Sequence, residues 1–214
     1  MIKKRTSDTF NELSWFHGGD IEFCEWQIPP PARTAHKLLM NYSFVFLTTD
    51  RHYATKSGTK LAVAALHKDV NILNTITNYE ASEKLRIACS KVLLLNKSLN
   101  VQHDYWHEGW VSGNVFKYAW ENVDLDHHFQ SEISRDCEQF DIGREEMNII
   151  FSQNLTRSLI EYICRCALDL GYDGLFGHER DENGIAQPVL AIFREKVLSS
   201  PVWIQQNGYG DLII

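Results

Sequence analysis

A long amphipathic pattern between residues 154 and 170 is the feature that most constrains the fold of this chain. Its apolar residues recur at helical spacing and fall on one stripe: Leu155, Leu159, Ile160, Ile163, Cys166, Ala167 and Leu170. Gly171 follows directly, and glycine commonly ends a helix. The pattern predicts one helix from Asn154 to Leu170 that stops at this glycine.

Short apolar segments elsewhere in the chain have the composition of strands. Strands are predicted at residues 13–16, 44–48, 70–73, 172–176 and 189–193. The last two flank a polar turn and predict a hairpin, and the first two are expected side by side. Further helices are predicted around 35–40, over 50–66 in one or two pieces, and over 80–95. The elements do not alternate regularly as in parallel folds, so the sequence predicts a mixed α+β domain.

The composition is that of a globular chain, with 44% hydrophobic and 23% charged residues among 214. No internal repeat or linker divides it, so we expect a single domain over 1–214, with a helical and aromatic insertion around 75–150. The five cysteines are odd in number and irregularly spaced, no signal peptide precedes them, and no apolar run reaches bilayer length. These features predict a cytoplasmic protein that does not enter a membrane.

A histidine beside two glycines marks the first candidate site, in the segment Trp15–Phe16–His17–Gly18–Gly19. The glycines let a ligand approach the backbone closely, and the histidine can hydrogen-bond a ribose. A turn with an incidental histidine is the alternative.

The second candidate segment runs from Phe46 to Ala54 through Thr48–Thr49–Asp50, where the Asp or a Thr can cap a helix. Its alternative is a plain strand-to-helix turn.

Taken in order with Tyr172–Asp173–Gly174 before the last strands, these segments resemble the ADP-ribosyltransferase superfamily, in its diphtheria-toxin-like and rifampin-transferase-like branch. The resemblance implies a split β-sheet core with surrounding helices and NAD as substrate in a cleft between two small sheets. It also implies site residues. His17 would hold the nicotinamide ribose, Gly18 and Thr48 would lie near the dinucleotide, and Phe46 or Tyr53 would pack against the nicotinamide ring.

The catalytic carboxylate departs from the family pattern. The family carries a Glu at the start of its last strand, where this chain has Gln187–Pro188–Val189. The nearest carboxylates are Glu179 and Glu182, in the turn before that strand, and the prediction prefers Glu182. Either can position the acceptor or stabilise the cationic sugar. A solvated acidic turn is the alternative, and Gln187 can instead orient the ribose.

Other enzyme classes lack their motifs in this sequence. It has no glycine-rich phosphate loop and no Gly-x-Ser-x-Gly, which argues against kinases, dehydrogenases and common hydrolases. Histidines at 103, 107, 127 and 128 invite a metal-site hypothesis. Their order lacks the helical zinc-protease motif, so no metal is predicted.

The partners follow from the resemblance and from the overall charge. The net charge of −7 works against general binding to phosphate backbones. Trp106, Trp110 and Trp120 suggest a platform for a macromolecular acceptor, with a place in the core as the alternative. A macromolecular acceptor, RNA, DNA or protein, is therefore expected, and a small molecule such as an antibiotic is the alternative acceptor. The resemblance further implies a toxin or phage-defence effector with a neutralising, antitoxin-like protein partner. A catalytically inactive relative that binds a nucleotide or a partner is the alternative function.

Overall fold

A computed structural model gives the fold of residues 10–31, 38–95, 113, 115–116, 125–180 and 184–204. Residues 38–40 are not helical, so the helix expected at 35–40 is wrong there. Several sequence predictions lie outside the described residues: the rest of that helix, the histidines at 103 and 107, the tryptophans at 106, 110 and 120, and the carboxylate of Glu182. The side chains of His127 and His128 are likewise not described.

The described residues contain seven strands in one mixed sheet. The strands are β1 (Trp15–Gly19), β2 (Val45–Thr48), β3 (Lys60–Ala64), β4 (Ile72–Asn74), β5 (Gly174–Arg180), β6 (Ala186–Ile192) and β7 (Val202–Ile204). Their order across the sheet is β4-β5-β6-β2-β1-β3-β7. All neighbours are antiparallel except β4 and β5, which run parallel. The α+β class predicted from the sequence is confirmed.

The ladder of paired residues is shortest between β1 and β2. These two strands pair only at Phe16 and Thr48, whereas β1 pairs with β3 over five positions and β2 pairs with β6 over four. We call this contact the β1–β2 junction. It joins a four-stranded part of the sheet to a three-stranded part.

Four α-helices occur in the described residues: α1 (Arg51–Thr55), α2 (Tyr79–Leu95), α3 (Leu125–Phe140) and α4 (Arg144–Asp169). α2, α3 and α4 pack on one face of the sheet, around buried residues such as Leu85, Ile133 and Leu159. The strand β6 shows the two faces directly, because Val189 and Ala191 join this helical core while Leu190 and Ile192 join a second core on the opposite face. This is the alternation expected of a strand covered on both sides.

The helix predicted at 154–170 is confirmed as the C-terminal part of α4. The stripe residues Leu159, Ile160 and Ile163 are buried. Gly171 has φ +89°, a conformation that glycine adopts without strain, and its backbone N–H donates to the carbonyl of Leu168. The hairpin of β5 and β6 and the helix predicted at 80–95 are also confirmed.

Several predicted boundaries were wrong, and two of them concern β1 and β3. The first strand begins at Trp15 rather than Leu13 and includes both glycines, because Gly18 and Gly19 pair with Leu61 and Lys60 of β3. The helix predicted over 50–66 ends at Thr55, and residues 60–64 form β3 instead. The side chains of 60–64 suit either structure, and pairing with β1 and β7 decides for the strand.

None of the helices in the described ranges is long and apolar enough to cross a membrane. Of the insertion predicted at 75–150, the described parts are α2, α3 and the start of α4, together with a short segment around Phe116. The division of the chain into domains stays a prediction.

Candidate functional site

A cavity of about 540 Å³ opens at the β1–β2 junction. One wall is formed by residues 16–19 of β1 and 46–48 of β2, and another by α1 and the residues that follow it. Residues 153–160 of α4 and the loop at 41–44 close the helical side, and Glu179 of β5 contributes a carboxylate. Its volume is within the range of small-molecule and cofactor sites.

His17 lies in this wall and bridges the two strands. Its Nδ1 is 2.9 Å from the carbonyl oxygen of Phe46. A carbonyl only accepts, so this bond places the proton on Nδ1 and leaves Nε2 of the neutral ring as an acceptor. The rings of His17 and Trp26 pack nearly perpendicular to each other, with their centroids 5.6 Å apart. The predicted site histidine is therefore held in one orientation, and in this tautomer Nε2 is the ring atom that accepts hydrogen bonds.

The glycine beside His17 is required by packing. A Cβ on Gly18 would lie 1.9 Å from the carbonyl oxygen of Ala54, so α1 rests directly on the backbone of β1. A Cβ on Gly58 would similarly lie 2.4 Å from the carbonyl carbon of Gly19. Gly18 lines the cavity as predicted, and its lack of a side chain brings α1 close enough to form the adjoining wall.

The Thr-Thr-Asp segment builds the start of α1. The backbone N–H of Asp50 donates to Oγ1 of Thr48 at 3.0 Å. Oδ1 of Asp50 in turn accepts the backbone N–H of Tyr53 at 2.9 Å, which is an N-cap. This confirms the capping role of Asp50. Thr48, predicted to contact the dinucleotide, lines the cavity but also uses its hydroxyl to shape this turn.

Tyr53 and Glu179 form the most distinctive contact in the cavity. The hydroxyl of Tyr53 donates to Oε2 of Glu179 at 2.8 Å, between residues 126 positions apart in the chain. Burial of the carboxyl group raises the pKa of Glu179 from its ordinary value of 4.5 to about 7, and the Tyr53 bond opposes part of this rise. Glu179 is thus poised to take up or release a proton near neutral pH.

Glu179 stands directly opposite Gln187 in the ladder between β5 and β6. Paired residues of antiparallel strands share a face, with their Cβ atoms about 4.5–5.5 Å apart. The carboxylate therefore lies one strand away from the position at which the resemblance places it. Glu179 was expected in a turn, and the structure corrects this, because β5 continues to Arg180 and holds Glu179 inside the sheet.

Three aromatic side chains that line the cavity contact one another in sequence, Tyr42 with Phe46 and Phe46 with Phe116. Tyr42 and Phe46 have ring centroids 4.5 Å apart, and Phe46 meets Phe116 edge-on at 5.9 Å. Phe46 was predicted as a stacking residue, while Tyr42 and Phe116 were not. Phe116 reaches the site through a backbone bridge to Glu179 that pairs residues far apart in the sequence.

The structure brings together six of the predicted site residues around one cavity: His17, Gly18, Phe46, Thr48, Tyr53 and Glu179. Sequence analysis missed Arg157, which lines the cavity from α4. A second helical stripe of mixed character, formed by Gln153, Thr156, Arg157 and Ile160, was the signal available for it. Among the side chains that the structure describes, no group of three or more His, Cys, Asp or Glu can hold a metal ion.

Comparison with known proteins adds little to this geometry. No protein-family model matches the chain, and no curated protein matches it. One solved structure that resembles it is described as an anti-CRISPR protein, with 14% sequence identity and a TM-score of 0.44 over 91% of this chain and all of the other.

Proposed function

We propose that this chain is an ADP-ribosyltransferase that uses NAD as a substrate and modifies a macromolecular acceptor, RNA, DNA or protein. The observation that carries the proposal is the cavity that gathers His17, Tyr53 and Glu179 from three separate segments. The resemblance noted in the sequence supplies the chemistry, and no metal is part of it.

In the proposed reaction, the bond between the nicotinamide nitrogen and C1′ of its ribose breaks. The electron pair leaves with nicotinamide, and the sugar gains oxocarbenium character. An ionised carboxylate at Glu179 stabilises that positive charge. The acceptor then attacks C1′ and gives up a proton, which Glu179 can take, since burial brings its pKa to about 7.

In this proposal His17 and Phe46 bind the NAD substrate. The bond to Phe46 leaves Nε2 of His17 as an acceptor suited to a ribose hydroxyl. Phe46 offers a ring face to a flat heterocycle, the role that the resemblance assigns to it. Tyr53, for which the same role was expected, supports Glu179 through its hydroxyl.

One experiment tests the activity and identifies the acceptor class. The purified protein is incubated with NAD labelled in the adenylate part and with cell lysate, and the label is followed in nucleic acid, protein and small molecules. Wild type should label one fraction and release nicotinamide. Glu179→Gln should lower the rate by about a hundredfold or more, the usual loss when a group aimed at transition-state charge is removed. The exposed Glu195→Gln is the matched control.

The alternative function is a catalytically inactive relative that only binds a nucleotide or a partner. The observation that favours it is Gln187, which occupies the place where the family carries its catalytic Glu. Under this alternative, wild type binds NAD but releases no nicotinamide, and Glu179→Gln changes nothing. A role as a toxin or phage-defence effector, with a neutralising protein partner, belongs to the transferase proposal and depends on the acceptor that the labelling reveals.

A further inference from the structure

Two arginines of α4 differ in a way that points to a ligand. Arg157 and Arg165 both place their guanidinium over an aromatic ring of the loop that closes the cavity, Tyr42 at 5.1 Å and Phe44 at 5.9 Å. Arg165 is neutralised by Glu161, at 2.9 Å. Arg157 forms no ion pair with any residue that the structure describes, and it lines the cavity.

Arg157 is also held firmly in place. It donates through Nη1 to the carbonyl oxygen of Met40. The same loop is tied to α4 by Asn154, whose Oδ1 accepts the backbone N–H of Met40 at 2.7 Å and whose Nδ2 donates to Leu38 at 2.9 Å. A guanidinium carries five N–H donors. With Nη1 turned to Met40, donors remain for a group inside the cavity.

We propose that Arg157 binds an anion in the cavity and that it receives the pyrophosphate of a dinucleotide or of ADP-ribose. An arginine fixed on an aromatic ring loses little freedom on binding, and its planar donors match phosphate oxygens. The assignment to NAD rests on the proposed function, whereas the affinity for a pyrophosphate does not.

The test is calorimetric titration of the whole protein with ADP-ribose, which needs no chemistry at the nicotinamide bond. Arg157→Gln should weaken binding by roughly tenfold to a hundredfold, the range for charge-assisted hydrogen bonds. Arg157→Lys keeps the positive charge but not the planar donors, so it should lose less affinity for ADP-ribose than Arg157→Gln does. Arg165→Gln is the matched control, since Arg165 also contacts this loop, at Ser43, but is already paired, and it should bind as wild type does.

Equal affinity of Arg157→Gln and wild type for ADP-ribose would overturn the inference, as would no binding to wild type. An equal loss in Arg165→Gln would also overturn it, because loop anchoring would then explain both effects. If Arg157→Gln does not fold, as judged by thermal melting, the comparison of Arg157→Lys with wild type decides. Arg157-dependent binding without nicotinamide release from NAD would uphold the anion site and refute the transferase.

Discussion

Replacing Tyr53 with Phe removes one hydroxyl from the cavity and tests how the charge of Glu179 is set. The hydroxyl donates to Oε2 of Glu179 at 2.8 Å. Such a bond stabilises the ionised carboxylate, whereas burial favours the protonated form. The variant keeps the aromatic ring, so any stacking of that ring on a substrate is retained.

The magnitude follows from the strength of this bond. A hydrogen bond to a charged group contributes about 1.5–3 kcal/mol, and about 1.4 kcal/mol corresponds to one pKa unit. Glu179 is not fully buried, so the lower end of the range applies. The pKa of Glu179, about 7 in the wild type, should therefore rise by about one unit in the variant.

The assay is kcat/KM for nicotinamide release between pH 5.5 and 9, because this ratio reports the pKa values of the free enzyme. The ionised carboxylate is the active form, so the wild-type rate should rise with pH through about 7, the pKa of Glu179. Tyr53→Phe should reach the same plateau rate, but the midpoint of its pH profile should lie about one pH unit higher. Tyr79→Phe, at a tyrosine that is 72% exposed on α2, should match the wild type.

Two results would refute this reasoning. An unchanged midpoint in a folded Tyr53→Phe variant would mean that the hydroxyl does not control the ionisation of Glu179. A lower plateau at high pH, with the midpoint in place, would mean that the hydroxyl contacts the substrate directly.

Three further predictions concern the same cavity. Because the pKa of Glu179 is raised in the fold, its contribution to stability is present below pH 4.5 and is lost as pH rises through about 7. The free energy of unfolding of Glu179→Gln should therefore exceed that of the wild type by up to about 3 kcal/mol at pH 8 and should equal it at pH 4, as thermal melting at the two pH values would show. The exchange Glu179→Gln with Gln187→Glu moves the carboxylate across the ladder; it should regain part of the nicotinamide release lost in Glu179→Gln, and no regain would show that side chain 187 does not reach the reacting sugar. Gly18→Ala should cost about 3 kcal/mol in denaturant unfolding, since its Cβ would overlap the carbonyl of Ala54; Gly143→Ala, where a Cβ meets nothing within 4 Å, should be nearly neutral.

Local patterns predicted much of the fold. The apolar stripe of α4 can be read in a short window because it meets one core, and the continuous apolar run of β6 can be read because this strand is covered on both faces. The strand β3 was not predictable in this way. The composition of residues 60–64 suits a helix as well as a strand. Hydrogen-bonded pairing with β1 and β7, which are distant in the sequence, decides for the strand.

The candidate site was predicted in part for the same reason. His17 and Phe46 stand out because they lie next to glycines or in a distinctive segment. The choice between Glu179 and Glu182 depended on where β5 ends, and element boundaries are set by pairing rather than by composition. Arg157 was overlooked because a polar residue on an amphipathic helix is ordinarily solvated, and only the fold shows that this one faces a cavity.

At the β1–β2 junction His17 has a structural role in addition to the proposed role in ribose binding, and an experiment must separate the two. Phe16 and Thr48 are the one position at which β1 and β2 pair, and the carbonyl of Phe46 in β2 accepts a hydrogen bond from the side chain of His17 in β1. If the ring of His17 only faced the cavity, its replacement by alanine would leave the fold intact. The bond to Phe46 adds a structural cost of about 1 kcal/mol, the usual net value of a hydrogen bond. A loss of activity in His17→Ala therefore counts as evidence for ribose binding only when it greatly exceeds the fraction of protein that this cost unfolds.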